Sequence, residues 1–164
     1  KEAAEKEEKE IERLAIEKQY YLETVMPQID EAMSIYDSIW DAYWVPTFNG
    51  VSTGQVDAYS AYSNMKDIRN LYDQLETKFY NISDDKMSEE NKELITEYTR
   101  EMASAARYRA SAAKKAQKMF DTGDYSPSTM DKITAEVNKA DKDMLNAILS
   151  LTSMEMQLGI EREY

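Results

Sequence analysis

Residues 11–43 read IERLAIEKQYYLETVMPQIDEAMSIYDSIWDAY. Alternate steps of four and three residues collect Ile11, Ala15, Lys18, Leu22, Val25, Ile29, Ala32, Tyr36, Ile39 and Tyr43. That spacing is one face of an α-helix, and so narrow a heptad stripe is stable in water only against other helices. Pro27 falls inside the stretch and removes one backbone donor. The stripe keeps its phase across it, so the rod is expected to bend there and continue.

Upstream, KEAAEKEEKEIER (1–13) has almost no apolar residue before Ile11. Glu2/Lys6 and Glu5/Lys9 are acid-before-base pairs four apart, which favour helix modestly. Residues 1–10 are therefore expected to protrude as solvated helix, a shape that also suits a tether from a membrane anchor. The chain opens on Lys1 and not on methionine, which suggests a chain processed or cut from something longer and leaves room for a removed targeting segment.

Downstream, Val45-Pro46 is expected to stop the first helix, because a residue before proline is pushed out of the α region. Thr47 to Gly54 would be the first turn. Ser52-Thr53-Gly54-Gln55 reads as a capping box for the second helix, with Val51 and Val56 as its hydrophobic staple. The second stripe is Ala61, Met65, Ile68, Tyr72, Leu75, Phe79 and Ile82. Ser88 is the expected N-cap of a third helix, whose stripe is Ile95, Tyr98, Met102, Ala105, Arg109, Ala112, Ala116 and Met119. Its alanines would let it approach its neighbours closely. Gly123 suits the C-terminal stop of this helix, and Ser126-Pro127 the start of a fourth. The last stripe runs from Met130 through Ile133, Val137, Ala140, Met144, Ala147, Leu151 and Met154 to Leu158.

Short loops between long amphipathic helices predict an all-α, antiparallel, up-down-up-down four-helix bundle, one domain over residues 1–164. The helices are expected at about 2–45, 53–82, 88–121 and 127–159. The alternative uses the same helices in an oligomeric coiled coil. In the bundle, both termini share one end, and the first and third turns share the other.

Composition narrows the chemistry. Lys and Arg number 20 and Asp and Glu 32, a net charge of −12 that opposes nucleic-acid phosphates. Anionic membrane surfaces are equally unsuited, so membrane association would need an anchor outside this chain. Cysteine and histidine are both absent, which removes thiolate chemistry, the commonest metal ligand and the side chain that titrates nearest neutrality. Asp121-Thr122-Gly123-Asp124 lacks the alternating acids of a calcium loop. No metal, cofactor or catalytic residue is therefore expected, and the chain reads as a non-enzyme.

Two groups of side chains stand out. Aromatics collect at the turn end, and Trp40, Trp44, Phe48 and Tyr125 are the candidate partner-binding residues, since exposed Trp and Tyr often anchor interfaces. Trp44 and Phe48 are expected to be the most exposed. Large side chains also plug an open bundle end, and burial of both against Val51 and Phe120 would favour that reading. Arg109 interrupts the third stripe. It either pairs with a carboxylate at its level (Asp30, Asp67, Glu136 or Asp143) or recognises an anionic ligand between helices.

The expected function is a non-enzymatic module, extracytoplasmic or surface-tethered, that binds a protein or cell-envelope partner. The alternatives are a ligand-sensing domain between two membrane spans and an intracellular adaptor or assembly subunit. Partner identity and oligomeric state are not encoded in these patterns.

Overall fold

In the computed structural model, which describes residues 1–163, the chain is all-α, with no strand among the described residues. Helix α1 is a continuous rod over residues 2–52. It has three α segments, Glu2–Tyr20, Met26–Ile39 and Val45–Ser52, joined by π turns at Tyr21–Val25 and Trp40–Trp44. Helix α2 spans Ala58–Tyr80, α3 Glu89–Thr122 and α4 Pro127–Gln157.

The first expectation to fail is the stop at Val45-Pro46. The helix passes through the proline because the turn before it is widened. Val45 N–H reaches back five residues to the Trp40 carbonyl, and Thr47 Oγ1 donates to the Tyr43 carbonyl at 2.7 Å. The same device surrounds Pro27, where Met26 N–H donates to the Tyr21 carbonyl and Gln28 Nε2 to the Thr24 carbonyl at 2.6 Å. Each π turn gives the pyrrolidine ring room it lacks in a regular helix, and the next residue's side chain occupies a displaced carbonyl.

Each widened turn also inserts a residue into the helical phase, and this corrects the first stripe. Tyr21 and Trp44 are buried, whereas Leu22 and Tyr43 are 40% and 55% exposed. The buried series becomes Glu17, Tyr21, Val25, Ile29, Ala32, Tyr36, Ile39, Trp44 and Thr47. Residues 1–16 are exposed throughout, so Ile11 and Ala15 lie beyond the core.

The second correction concerns the start of α2. Ser52 ends α1, and the N-cap of α2 is Asp57, whose Oδ1 accepts from Ser60 N–H at 2.7 Å. The intervening turn folds back tightly. Val56 packs so closely on Gly50 that a Cβ there would lie 2.2 Å from its Cγ2. The later punctuation follows expectation: Ser88 and Ser126 cap α3 and α4, and Gly123 ends α3 with φ +70°.

Every residue of the third stripe is buried, and the second is buried from Ala61 to Phe79. Small residues on α3 (Ala103, Ala105, Ala106, Ala110, Ala112, Ala113 and Ala116) let its backbone lie close to both α2 and α4. Contacts between sequential helices run in opposing order: Tyr36 meets Tyr72 and Thr47 meets Asn64, Tyr72 meets Arg109 and Phe79 meets Tyr98, Ser104 meets Asp143 and Lys115 meets Glu136. No helix among the described residues is long and apolar enough to cross a membrane.

Two charged groups near the chain ends tie the helices together. Buried Glu17 accepts from Ser88 N–H at 2.7 Å and Asn91 Nδ2 at 2.8 Å, and pairs with Arg13 at 2.9 Å. Burial raises its pKa, but these donors outweigh that, and the carboxyl titrates below its ordinary value. Lys18, the charged interruption of the first stripe, donates to the Gly159 carbonyl at 3.1 Å and so occupies the C-terminal end of α4.

Candidate functional site

Helices α1 and α4 approach each other far less closely than α3 approaches its neighbours. The cause is side-chain size. Where α3 offers alanine, α1 faces α4 with Trp40, Trp44 and Phe48, spaced four residues apart on one side of the rod. The resulting seam opens into a cleft at each end.

At the turn end, a cleft of about 250 Å³ is lined on one wall by Trp40, Trp44 and Phe48. Met130, Ile133, Thr134 and Val137 of α4 form the other wall. The aromatic wall is a continuous stack. Trp40 and Trp44 lie nearly parallel at 4.7 Å, Trp44 meets Phe48 at 5.1 Å, Phe48 meets Phe120 at 5.6 Å, and Phe120 meets Tyr125 at 6.2 Å. Three of the candidate partner-binding residues therefore share one cavity, and Tyr125, half-exposed, ends the stack beside it.

Their exposure departs from expectation. Trp44 is 6% exposed and Phe48 is half-buried against Trp44 and Phe120, because the π turn rotates both inward. Most of their surface therefore plugs the bundle end. What reaches the cleft is a flat apolar wall and not a set of protruding anchors.

Midway along the seam lies Arg109, with only 8% of its side chain exposed. Its guanidinium carbon sits 4.1 Å from the Tyr36 ring centroid, 4.4 Å from Trp40 and 5.9 Å from Tyr72. Nη1 donates to Tyr72 Oη at 3.2 Å. The carboxylate that reaches it is Asp141, at 3.5 Å on the half-exposed rim, and none of the four acids expected. Asp30 pairs with Arg162, Glu136 with Lys115, and Asp143 accepts from Ser104. Cation–π attraction supplies much of what a carboxylate partner would. The rings also cover the guanidinium plane, leaving little of it for an anionic ligand. Burial raises the tyrosine pKa values here, that of Tyr72 to about 12, so both phenols are neutral at pH 7.

At the terminal end, a second cleft of about 220 Å³ has Ile29, Met33, Tyr98, Ile148 and Leu151 among its lining, with a polar edge of Asp30, Glu155 and Arg162. Arg162 grips buried Glu155 with two bonds of 2.7 Å and reaches Asp30 at 2.8 Å. Tyr21 Oη donates to the same Glu155 carboxylate. Sequence reasoning missed this cluster. Glu155 sits beside the stripe residue Met154, and Arg162 follows the last helix, so neither carries a spacing signal.

Comparison with protein-family models, curated proteins and solved structures finds no match to this chain.

Proposed function

We propose that this chain is a non-enzymatic helical module that binds a partner protein through the aromatic cleft at its turn end. The observation that carries the reading is the shared cleft itself, with Trp40, Trp44 and Phe48 facing Ile133 and Val137 across a seam propped open by those aromatics. An apolar side chain inserted there would be desolvated on both faces, the setting in which interface anchors contribute most. The chain's lack of histidine and cysteine supports a binding role over catalysis. The uncovered, charge-dense helix over residues 1–16 supports a surface-tethered, extracytoplasmic arrangement in which it acts as a stalk.

The test uses two positions and the chain's own fluorophores. A photo-crosslinker replacing exposed Thr134 on the cleft rim should capture a partner that the same group at Tyr80 does not. Both tryptophans of the chain line the cleft, so the purified partner should shift their emission saturably. Filling the cleft with Thr134→Phe should weaken that binding by about tenfold or more. Equal capture from Tyr80, or unchanged affinity for Thr134→Phe, would remove the cleft from the interface.

A further inference from the structure

Helix α4 is apolar on two sides, and the bundle covers only one of them. Met144, Ala147, Leu151, Met154 and Leu158 pack into the core. Leu145, Leu149 and Met156 point away from it and are 58%, 62% and 73% exposed. Together with exposed Lys142 and Thr152 they form a second stripe in steps of three and four, running about 21 Å along the outside of the helix. The neighbouring helices have no such face. Among the described residues α3 exposes no large apolar side chain, and α2 exposes only Tyr59 and Tyr80 near its two ends. A helix with an apolar seam on opposite sides is built to pack against a second neighbour.

Charge decides what that neighbour is. Residues 144–154, MLNAILSLTSM, carry no charge in a chain of net −12. Two copies of so acidic a molecule repel, and this face lets them meet without opposing carboxylates. The two ends of the stripe are oppositely charged. At its start, Asp141 is engaged by Arg109 and Asp143 by Ser104, while Lys142 has no ion pair among the described residues. Past its other end come exposed Glu161 and Glu163, which likewise have no ion pair among the described residues. An antiparallel copy sets each Lys142 beside the other's Glu161 and Glu163, whereas a parallel copy sets like charge on like.

We propose that the outer face of α4 is the contact of a symmetric, antiparallel dimer of this chain, with the two α4 helices crossing near Leu149. Leu145 and Met156 flank the crossing, and the Lys142 ion pairs close its two ends. One helix face per copy is a small interface, below roughly 1,200 Å², so the dimer is a weak one that forms at micromolar concentrations or above. The partner-binding reading uses residues 130–137 of α4, a different stretch, and the dimer does not rest on it.

Sedimentation velocity on the whole chain over a concentration series is the test. A reversible monomer–dimer equilibrium is expected. Leu149→Glu, which places two carboxylates at the crossing, should weaken it by about thirtyfold or more. Its side chain is exposed, so circular dichroism should show an unchanged fold. Lys142→Glu should weaken the dimer by about fivefold, and adding Glu161→Lys and Glu163→Lys to it should restore the affinity. The same charge change at Lys66, on the outside of α2, should leave the dimer intact. A chain that stays monomeric to about 1 mM would overturn the proposal, as would a dimer indifferent to Leu149→Glu. Equal weakening by Lys142→Glu and Lys66→Glu would overturn the antiparallel pairing. Monomers that bind phosphatidylcholine vesicles through Leu149 would make the face a lipid surface instead.

Discussion

Arg109 shows how one residue can break a pattern without breaking the core. Its charge is held between the rings of Tyr36 and Trp40 with only a rim carboxylate in reach, so the planar shape of the guanidinium matters as much as its charge. Lysine would keep a buried cation but lose the stacking plane and the bond to Tyr72. Methionine would keep an unbranched apolar stem and remove the charge. Arg109→Lys is therefore expected to destabilise by about 2 kcal/mol, and Arg109→Met by about 1 kcal/mol or less, in urea titrations. The reverse order would mean that charge alone holds the site. The interruption of the stripe at Arg109 was legible in the sequence. Its partners were not, because stacking joins residues 36, 40, 72 and 109 across three helices, and no local spacing encodes that.

At the scale of the element, α1 carries the main lesson. The pattern of fours and threes correctly identified a helix and located Val25 to Ile39 on its buried side. It failed where the helix departs from regular winding, before Pro27 and Pro46. A proline was readable as a stop or a bend; a widened turn that admits the ring was not, because it depends on the following Gln28 or Thr47 side chain reaching a carbonyl. Deleting Ala42 from the second wide turn tests this account. It should restore regular winding with Trp44 four residues after Ile39 and still buried, and lower stability by about 3 kcal/mol because Pro46 then clashes with a regular turn. An unshifted tryptophan emission together with a lower melting temperature would be the readouts, with Ala42→Ser unchanged in both. An Ala42 deletion that shifted the emission to the red would show that the wide turn does not hold one extra residue.

For the whole molecule, acidity and stability act against each other. The net charge of −12 repels itself, so mild acidification relieves strain across the fold. Asp37 and Glu101 act in the same direction, since burial holds both above their ordinary values and their protonation relaxes them. Glu17 opposes them. Its folded pKa lies below its ordinary 4.5, so its contribution is full above about pH 4.5 and is lost as pH falls through the folded value. The stability difference between the wild type and Glu17→Gln should therefore be largest near neutrality and shrink below pH 4.5. A difference independent of pH between 7 and 3 would show that the carboxylate's charge does not tie α1 to the start of α3. The four rods and their buried faces were largely legible at this scale, because amphipathic spacing is local information. The unequal gaps between them were not, since they come from alanine on α3 and aromatics on α1 meeting different neighbours.

The two wide turns make α1 behave like three short screws joined end to end. One extra residue advances a helix by about 100°, a little over a quarter of a revolution. Each proline thus works as an indexing notch that decides which compass bearing the next segment presents. Shifting Pro46 by one position would re-aim the whole Trp44–Phe48 segment, so the bearing of the open flank is inherited from where two imino acids happen to stand.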